Sequence, residues 1–277
     1  MKRYLIIMLL IIITLLSACD KTPQLAIHVI DVGQGDAMLI QTPSKKNILI
    51  DGGDENADHM VKSYLRKKWV KSIDLIIATH PDSDHIGGLD NVVDAFDVKS
   101  IYMPEKTSDS ESYINLIKSC KNKNLDIQYL NRDDNLNIEN ELSLQVLSPS
   151  NINDENNLAS IVFYMKYKDN EFILTGDSEK ENEQEILNTY DINDVDFLKV
   201  AHHGSNTSSS PEFISKISPD ISVISCGYKN QYGHPHKETL NTLYQNDSAV
   251  YRTDRIGDIV FYSDGDKIYT KKNYDHD

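Results

Sequence analysis

The sequence is short of what three common protein classes need. Beyond residue 19, no apolar stretch approaches the roughly 20 residues that a membrane-crossing helix requires. Cysteine is scarce. After Cys19 only Cys120 and Cys226 remain, which form no metal-like pair and no disulfide framework, so both are expected as buried or half-buried thiols. Cations are outnumbered, with 28 Lys and Arg against 43 Asp and Glu for a formal charge of −15. That balance excludes a passive nucleic-acid binder, because counterion release from phosphates needs clustered Lys and Arg. It does not exclude a nucleic-acid substrate, since salt confines fields to roughly 8 Å and a local strip or a metal pair can dominate a site. Lys62, Arg66, Lys67, Lys68 and Lys71 fall on one helix-like stretch and are expected as a solvated face. Internal repeats and convincing linkers are missing too, so a single domain is expected.

What is present begins with an address. Lys2 and Arg3 precede an apolar run from Leu5 to Leu16, interrupted only by Thr14. Twelve residues suit a signal h-region better than a stable span. The run ends in Leu16-Ser17-Ala18-Cys19, which resembles the lipobox of bacterial lipoproteins. In that family the peptide is cut before the cysteine and the thiol takes a diacylglycerol. Residues 1–18 are thus expected as signal peptide, 19–24 as anchor and short linker, and 25–277 as the folded domain. Removing 1–18 takes away two cations and no acid, moving the charge to −17.

From Leu25 onward short apolar strands alternate with helices, the pattern of a mixed α/β domain. Strands are predicted at 25–31, 37–41, 47–51, 73–78, 141–147, 158–168, 171–175, 195–201, 220–226, 249–252, 256–262 and 267–271. Helices are predicted near 57–68, after Gly87-Gly88, and at 108–119, 178–189, 211–216 and 236–245. Residues 131–140 and 148–157, rich in Asn, Asp and Glu, read as loops.

The strongest chemical signal is Thr79-His80-Pro81-Asp82-Ser83-Asp84-His85, at the end of an apolar strand and just before Gly87-Gly88. Four potential ligands within six residues can converge without help from distant sequence. Carboxylates this dense repel one another unless a cation relieves them. Three more strands end alike, in Ile50-Asp51-Gly52-Gly53, in Thr175-Gly176-Asp177 and in His202-His203-Gly204. Polar groups at the same end of several strands are how α/β enzymes assemble a site.

These segments, in this order, resemble the metallo-β-lactamase-fold hydrolases. More closely they resemble the hydrolase domain of ComEC-type DNA-uptake proteins and its free-standing secreted relatives. The matching stretches are His28 to Asp36, Ile50 to Gly53, His80 to Gly88, Asn157 with Ser160, Thr175 to Asp177, Lys199 to Ser205, Tyr232 to His236 and Tyr251 to Gly257. The resemblance implies a four-layer αββα sandwich with one or two divalent ions, zinc or manganese, at the sheet edge. It implies a first metal position at His80 and Asp82 and a second at Asp84 and His85. Asp177 bridges, and His202 or His203 completes the second position, with His203 favoured because Gly204 frees it to turn inward. Asp51 is implied as an acceptor orienting a ligand. Most of the wider superfamily has His where Asp82 stands, and another His where Asn157 and Ser160 stand. Oxygen-rich ligands at the first position suit manganese or magnesium better than zinc.

His234 is expected to donate to a substrate oxyanion or to protonate a leaving group, alongside Asp84 in catalysis. Ser205, Asn206 and Tyr232 are candidate substrate contacts and His236 a lesser functional candidate than His234, while His28, His59 and His276 are given no role. The function expected is hydrolysis of a phosphodiester, in DNA or another phosphate ester, by an exported lipoprotein on the outer face of the cell membrane. A membrane partner protein could deliver the substrate. Two other readings compete: a hydrolase of a cell-envelope phosphate ester or lactone, and a binding lipoprotein that keeps the metal without turnover.

Overall fold

The computed structural model describes residues 24–151 and 155–273. The signal-type segment 1–18, Cys19 and His276 lie outside the described residues. The first half runs β1 (Leu25–Val29), β2 (Met38–Gln41), β3 (Asn47–Ile50), α1 (Asp58–Lys67), β4 (Ser72–Ile73), β5 (Leu75–Ile77), α2 (Ser83–Ile86), α3 (Leu89–Ala95), β6 (Asp97–Val98), β7 (Ile101–Met103), α4 (Glu111–Asn122) and β8 (Ile127–Tyr129). There follow β9 (Asn135–Glu139), β10 (Leu142–Ser148), β11 (Val162–Tyr167), β12 (Asn170–Leu174), α5 (Lys180–Thr189), β13 (Phe197–Lys199), α6 (Pro211–Ile217) and β14 (Ile221–Ile224). The chain closes with α7 (Lys237–Gln245), β15 (Ala249–Arg252), α8 (Thr253–Ile256), β16 (Ile259–Ser263) and β17 (Ile268–Thr270).

Among the described residues one sheet has the order β17-β16-β1-β2-β3-β5-β7-β8 and another the order β15-β14-β13-β12-β11-β10-β9. The strands are apolar on both faces, and alternation sorts their side chains into different layers. Met38, Ile40, Ile48, Ile50 and Ile77 enter the core between the sheets. Their neighbours Leu39, Leu49 and Ile76 pack outward against Val61 and Leu65 of α1, Val92 of α3 and Leu116 of α4. In the second sheet Phe172 and Leu174 face inward while Ile173 and Leu198 meet Ile186, Phe213 and Leu243 of α5, α6 and α7. The result is the helix–sheet–sheet–helix layering. Phe163, Phe172, Phe197 and Phe261 are fully buried between the sheets, and truncating any one to Ala costs about 3–5 kcal/mol.

Strand direction places the site. β5 runs parallel to β3, and β12, β13, β14 and β15 run parallel to one another. The residues leaving β3, β5, β12 and β13 are Asp51, Thr79-His80, Gly176-Asp177 and His202-His203, and they meet at one end of the sandwich.

Several sequence-based boundaries move. The loop predicted over 131–140 contains β9, an edge strand paired to β10 whose Leu136 and Ile138 pack on the core beneath a polar face. The strand predicted from 256 begins at Ile259, because Thr253–Ile256 coil into α8 and Gly257 reverses the chain at φ 67°. The helix predicted at 108–119 starts at Glu111, where the Ser110 hydroxyl accepts from the Tyr113 amide as its cap. The strand predicted over 158–168 shortens to β11, preceded by a single 3-10 turn at Asn157–Ala159. β7 and β8, each of three residues, were too short to stand out.

Candidate metal centre

The β5 exit loop is held by one buried carboxylate. Asp51, at φ 59° just past β3, accepts hydrogen bonds from the Thr79 amide (2.8 Å) and the Thr79 hydroxyl (2.7 Å). Its second oxygen also lies 2.8 Å from His85 Nδ1. Thr79 in turn stands 3.1 Å from His80 Nδ1. A carboxylate can only accept, so each Nδ1 carries a proton, and each Nε2 offers a lone pair once its ring is neutral, the form that binds a metal. Close backbone packing completes the loop. The Asp36 amide donates to the Asp84 carbonyl at 3.1 Å, and a Cβ on Gly35 would collide with that same carbonyl.

On the facing sheet, His203 is buried and His202 remains partly exposed. Both sit in left-handed backbone, φ 55° and 50°, ahead of Gly204. His203 Nδ1 donates to the Ser225 carbonyl at 3.0 Å, which leaves Nε2 facing Asp84 Oδ2 at 3.2 Å and Asp177 Oδ2 at 3.4 Å. His85 Nε2 and Asp177 Oδ1 stand 3.1 Å apart, yet both lack a hydrogen-bond partner, as does the buried Nε2 of His80. Unpartnered buried polar atoms are costly. His85 Nε2 and Asp177 Oδ1 lie in one buried cluster with His203 and Asp36, and that donor set fits a divalent cation. Asp36, His85, Asp177 and His203 each offer a ligand atom within 4.8 Å of the others.

The electrostatics match. Burial alone pushes His85 and His203 down, but Asp177, with Asp51 and Asp36 respectively, outweighs it and holds both imidazoles well above the ordinary histidine range. Burial raises Asp84, and His203 and His85 more than reverse that, to about 2. Asp177 is held well below the carboxylate range by the same two rings against its own burial. Protons now fill the role that a cation of higher charge would take.

Asp36 and Lys199 are the functional neighbours that sequence reasoning left without a role. Lys199 Nζ lies 2.7 Å from Asp36 Oδ2 and donates to the Val200 carbonyl at 3.0 Å, with both side chains buried. Asp36 Oδ1 is 3.4 Å from His203 Nδ1. Because Lys199 engages Asp36 and Asp36 faces the Nδ1 side of His203, this carboxylate backs the ring. A usable signal existed: one acid and one cation, each set in an apolar strand run (Asp36 before Ala37-Met38-Leu39-Ile40, Lys199 inside Phe197 to Ala201).

The other candidates are distributed as follows. Asp82 Oδ2 lies 3.5 Å from His80 Nε2, and its Oδ1 accepts from Asn156 at 2.6 Å. Asn157, the residue singled out from sequence, instead donates to Glu179 at 3.2 Å, because the 3-10 turn aims its side chain the other way. The Ser160 hydroxyl accepts from the Asp177 amide at 3.2 Å. His202 Nε2 stays 3.8 Å from Asp177, and its Nδ1 is 3.1 Å from Thr207. Ser205 is buried and its hydroxyl accepts from the Thr207 amide and hydroxyl, bracing a turn. Asn206 is exposed with its amide donating to His236 Nδ1 at 2.9 Å. His28 is buried, with Nδ1 2.9 Å from the Tyr64 hydroxyl, remote from this cluster. Cys120 and Cys226 are buried free thiols.

His234 packs among Tyr232, His202, His203 and His236, with ring centroids 4.9–6.2 Å away. Burial, then the neighbouring His203, His202 and His236, pull it down to about 4. At that basicity the ring is neutral near pH 7, and its N–H can donate a hydrogen bond, the first of the two roles expected for it. Beside the cluster runs a groove of about 560 Å³ lined by Gln34, Asp54, Asn56, Asp84, Asn230 and Tyr232 among others, with no Lys or Arg in its lining.

Residues 30–114 match the family model described as the metallo-beta-lactamase superfamily. The chain is 32% identical over 253 residues to ComE operon protein 3 of Bacillus subtilis, across 85% of this chain and 32% of that protein. It is 30% identical to Recombination protein 2 of Haemophilus influenzae, across 92% of this chain and 31% of that one. It therefore spans about a third of the length of these relatives. Among solved structures, the metallo-beta-lactamase fold protein YhfI of Bacillus subtilis superposes with a TM-score of 0.57 at 14% identity, over 87% of this chain and 100% of that one. The layering, the buried Asp and His cluster and these matches make the chain a metallo-β-lactamase-fold protein of the ComEC type, carrying a candidate metal site.

Proposed function

We propose that the chain is a metal-dependent phosphodiesterase, exported and held on the outer face of the cell membrane by lipid at Cys19. The observation that carries the chemistry is the set of buried polar atoms without partners, His80 Nε2, His85 Nε2 and Asp177 Oδ1. His80, Asp82 and Asp177 would hold one divalent ion. Asp84, His85, His203 and Asp177 would hold the other. Such ions lower the pKa of water toward neutrality and offset charge on phosphoryl oxygens. The protein's own part is preorganisation. Asp51 fixes the His85 ring directly and the His80 ring through Thr79, the Ser225 carbonyl and Asp36 fix His203, and Asn156 steers Asp82. His234, neutral at pH 7, is placed to donate a hydrogen bond to a substrate oxygen. Tyr232 stacks on it at 5.6 Å and lines the groove.

Similarity to proteins named for competence and recombination supports a nucleic-acid strand as the phosphodiester. The cation-free groove favours a second reading, a small cell-envelope phosphate ester, because a long polyanion normally meets Lys and Arg. The test is turnover of phosphodiester, phosphomonoester and lactone probes by chelated protein with and without added zinc or manganese. Metal-restored cleavage of the phosphodiester alone supports the proposal. Metal uptake without turnover of any probe would make the chain a binding lipoprotein instead.

A further inference from the structure

The only tryptophan in the chain, Trp69, is 86% exposed. It occupies the turn between α1 and β4 in left-handed backbone, φ 61°. The turn itself is ordered: the Trp69 amide donates to the Arg66 carbonyl and the Val70 amide to the Leu65 carbonyl, each at 3.0 Å. Four cations flank the indole, Arg66, Lys67 and Lys68 before it and Lys71 after it, on a chain whose net charge is −15. Arg66 and Lys68 lean on the rings of Phe96 and Tyr64. Lys67 and Lys71 are exposed and in no ion pair among the described residues. Across the short β4–β6 pairing the exposed acid is Asp97.

The position of this corner follows from strand direction. β1 and β3 are both antiparallel to β2 and so run the same way, and β5 is parallel to β3. β3 and β5 end at the metal cluster. The start of β1 and the turn that feeds β4 and β5 therefore lie at the opposite end. Gln24, the first described residue, stands at that end with Trp69 and its lysines. Cys19 precedes it by five residues, a reach of at most roughly 17 Å.

We propose that this corner docks on a bilayer bearing anionic headgroups, with the Trp69 indole at the interface and Lys67 and Lys71 on the phosphates. Indoles favour the headgroup level. A basic residue near an anionic leaflet strengthens binding about fivefold. A lipid anchor needs a second signal to hold stably, and a basic patch is one such signal. Docked this way, the protein turns its metal cluster and groove away from the membrane. The inference draws on the Cys19 anchor only for the membrane's presence, and binding through the corner does not require it.

The test uses the chain from residue 19 onward with Cys19→Ala, which keeps every described residue and cannot carry the lipid. It is mixed with phosphatidylcholine vesicles with and without phosphatidylglycerol. Trp69 being the sole tryptophan, its emission reports on this corner alone. The expected result is a blue shift and quenching by brominated acyl chains with phosphatidylglycerol, reversed by high salt. The Lys67→Gln, Lys71→Gln double variant should partition about 25-fold less. Unchanged emission with no co-sedimentation would overturn the proposal. So would co-sedimentation that the double variant leaves intact. Loss of membrane attachment by Cys19→Ala in cells bears on the anchor and not on this result.

Discussion

Replacing Lys199 with methionine removes one half of a buried ion pair and leaves the other half in place. Asp36 would keep its carboxylate in the interior with only the His203 ring, 3.4 Å from Oδ1, left beside it, and with Oδ2 stripped of its ammonium partner. Breaking a buried pair from one side costs about 3–5 kcal/mol. For a domain of this size each kcal/mol is worth about 2–4 °C of melting temperature, so a fall of about 10 °C is expected at pH 7. The sign with pH follows. In the wild type, burial would raise the Asp36 carboxyl, but Lys199 and then His203 hold it below the ordinary range. Its contribution is therefore present above an unfolded value near 3.8 and lost as pH falls. Without Lys199, burial lifts that carboxyl, and acid that protonates it relieves the variant, so the gap from wild type narrows toward pH 5. Adding Asp36→Asn should restore more than half of the loss. The assay is thermal unfolding by circular dichroism of the wild type, Lys199→Met and the double variant at pH 7 and pH 5. A drop smaller than about 2 °C, or a double variant no better than the single, would refute the pairing argument.

Three shorter predictions follow from other residues. Burial, aided by Lys68, pulls His28 from 6.5 to about 3. The unfolded chain therefore binds more protons between those values, and stability present above pH 6.5 drains away as pH falls. By pH 5 this amounts to about 2 kcal/mol, and His28→Gln should flatten that part of the urea-unfolding profile. Cys19→Ala should release the protein from membranes or leave it unprocessed, read by fractionation, and unchanged processing and attachment would disprove lipidation. Asp82→His should raise zinc affinity and move the best activator from manganese toward zinc in a metal titration of chelated protein. Identical zinc-led profiles for both proteins would show that Asp82 does not set the metal.

The parts of this fold legible in the sequence are those in which one short stretch carries the whole signal. His80 to His85 lies between an apolar strand and a glycine pair, and the loop needs only Asp51 from elsewhere to set its rings. The long strands of the inter-sheet core were visible because both faces are apolar. β7 and β8 were not, since three residues contain no period. β9 hid behind an edge strand's polar face. Asp36 and Lys199 are far apart in sequence and become partners only when the two sheets stack, which no local pattern encodes. Asn156 in place of Asn157 is a matter of which way one helical turn points a side chain. The low basicity of His234 was not legible, because it comes from burial and from His202 and His203, which reach the ring from a loop distant in sequence.

The central claim is that Asp177, His85 and His203 hold a divalent cation. It is tested most directly by calorimetric titration of chelated wild-type and Asp177→Asn proteins with manganese and with zinc, in two buffers of different ionisation enthalpy. The buried histidines bind protons that a cation must displace. Uptake by the wild type should thus release protons and weaken as pH falls, and Asp177→Asn should bind at least tenfold more weakly while keeping its fold. A wild-type protein that takes up neither ion, or an Asp177→Asn protein that binds equally well with no proton release, would contradict the account.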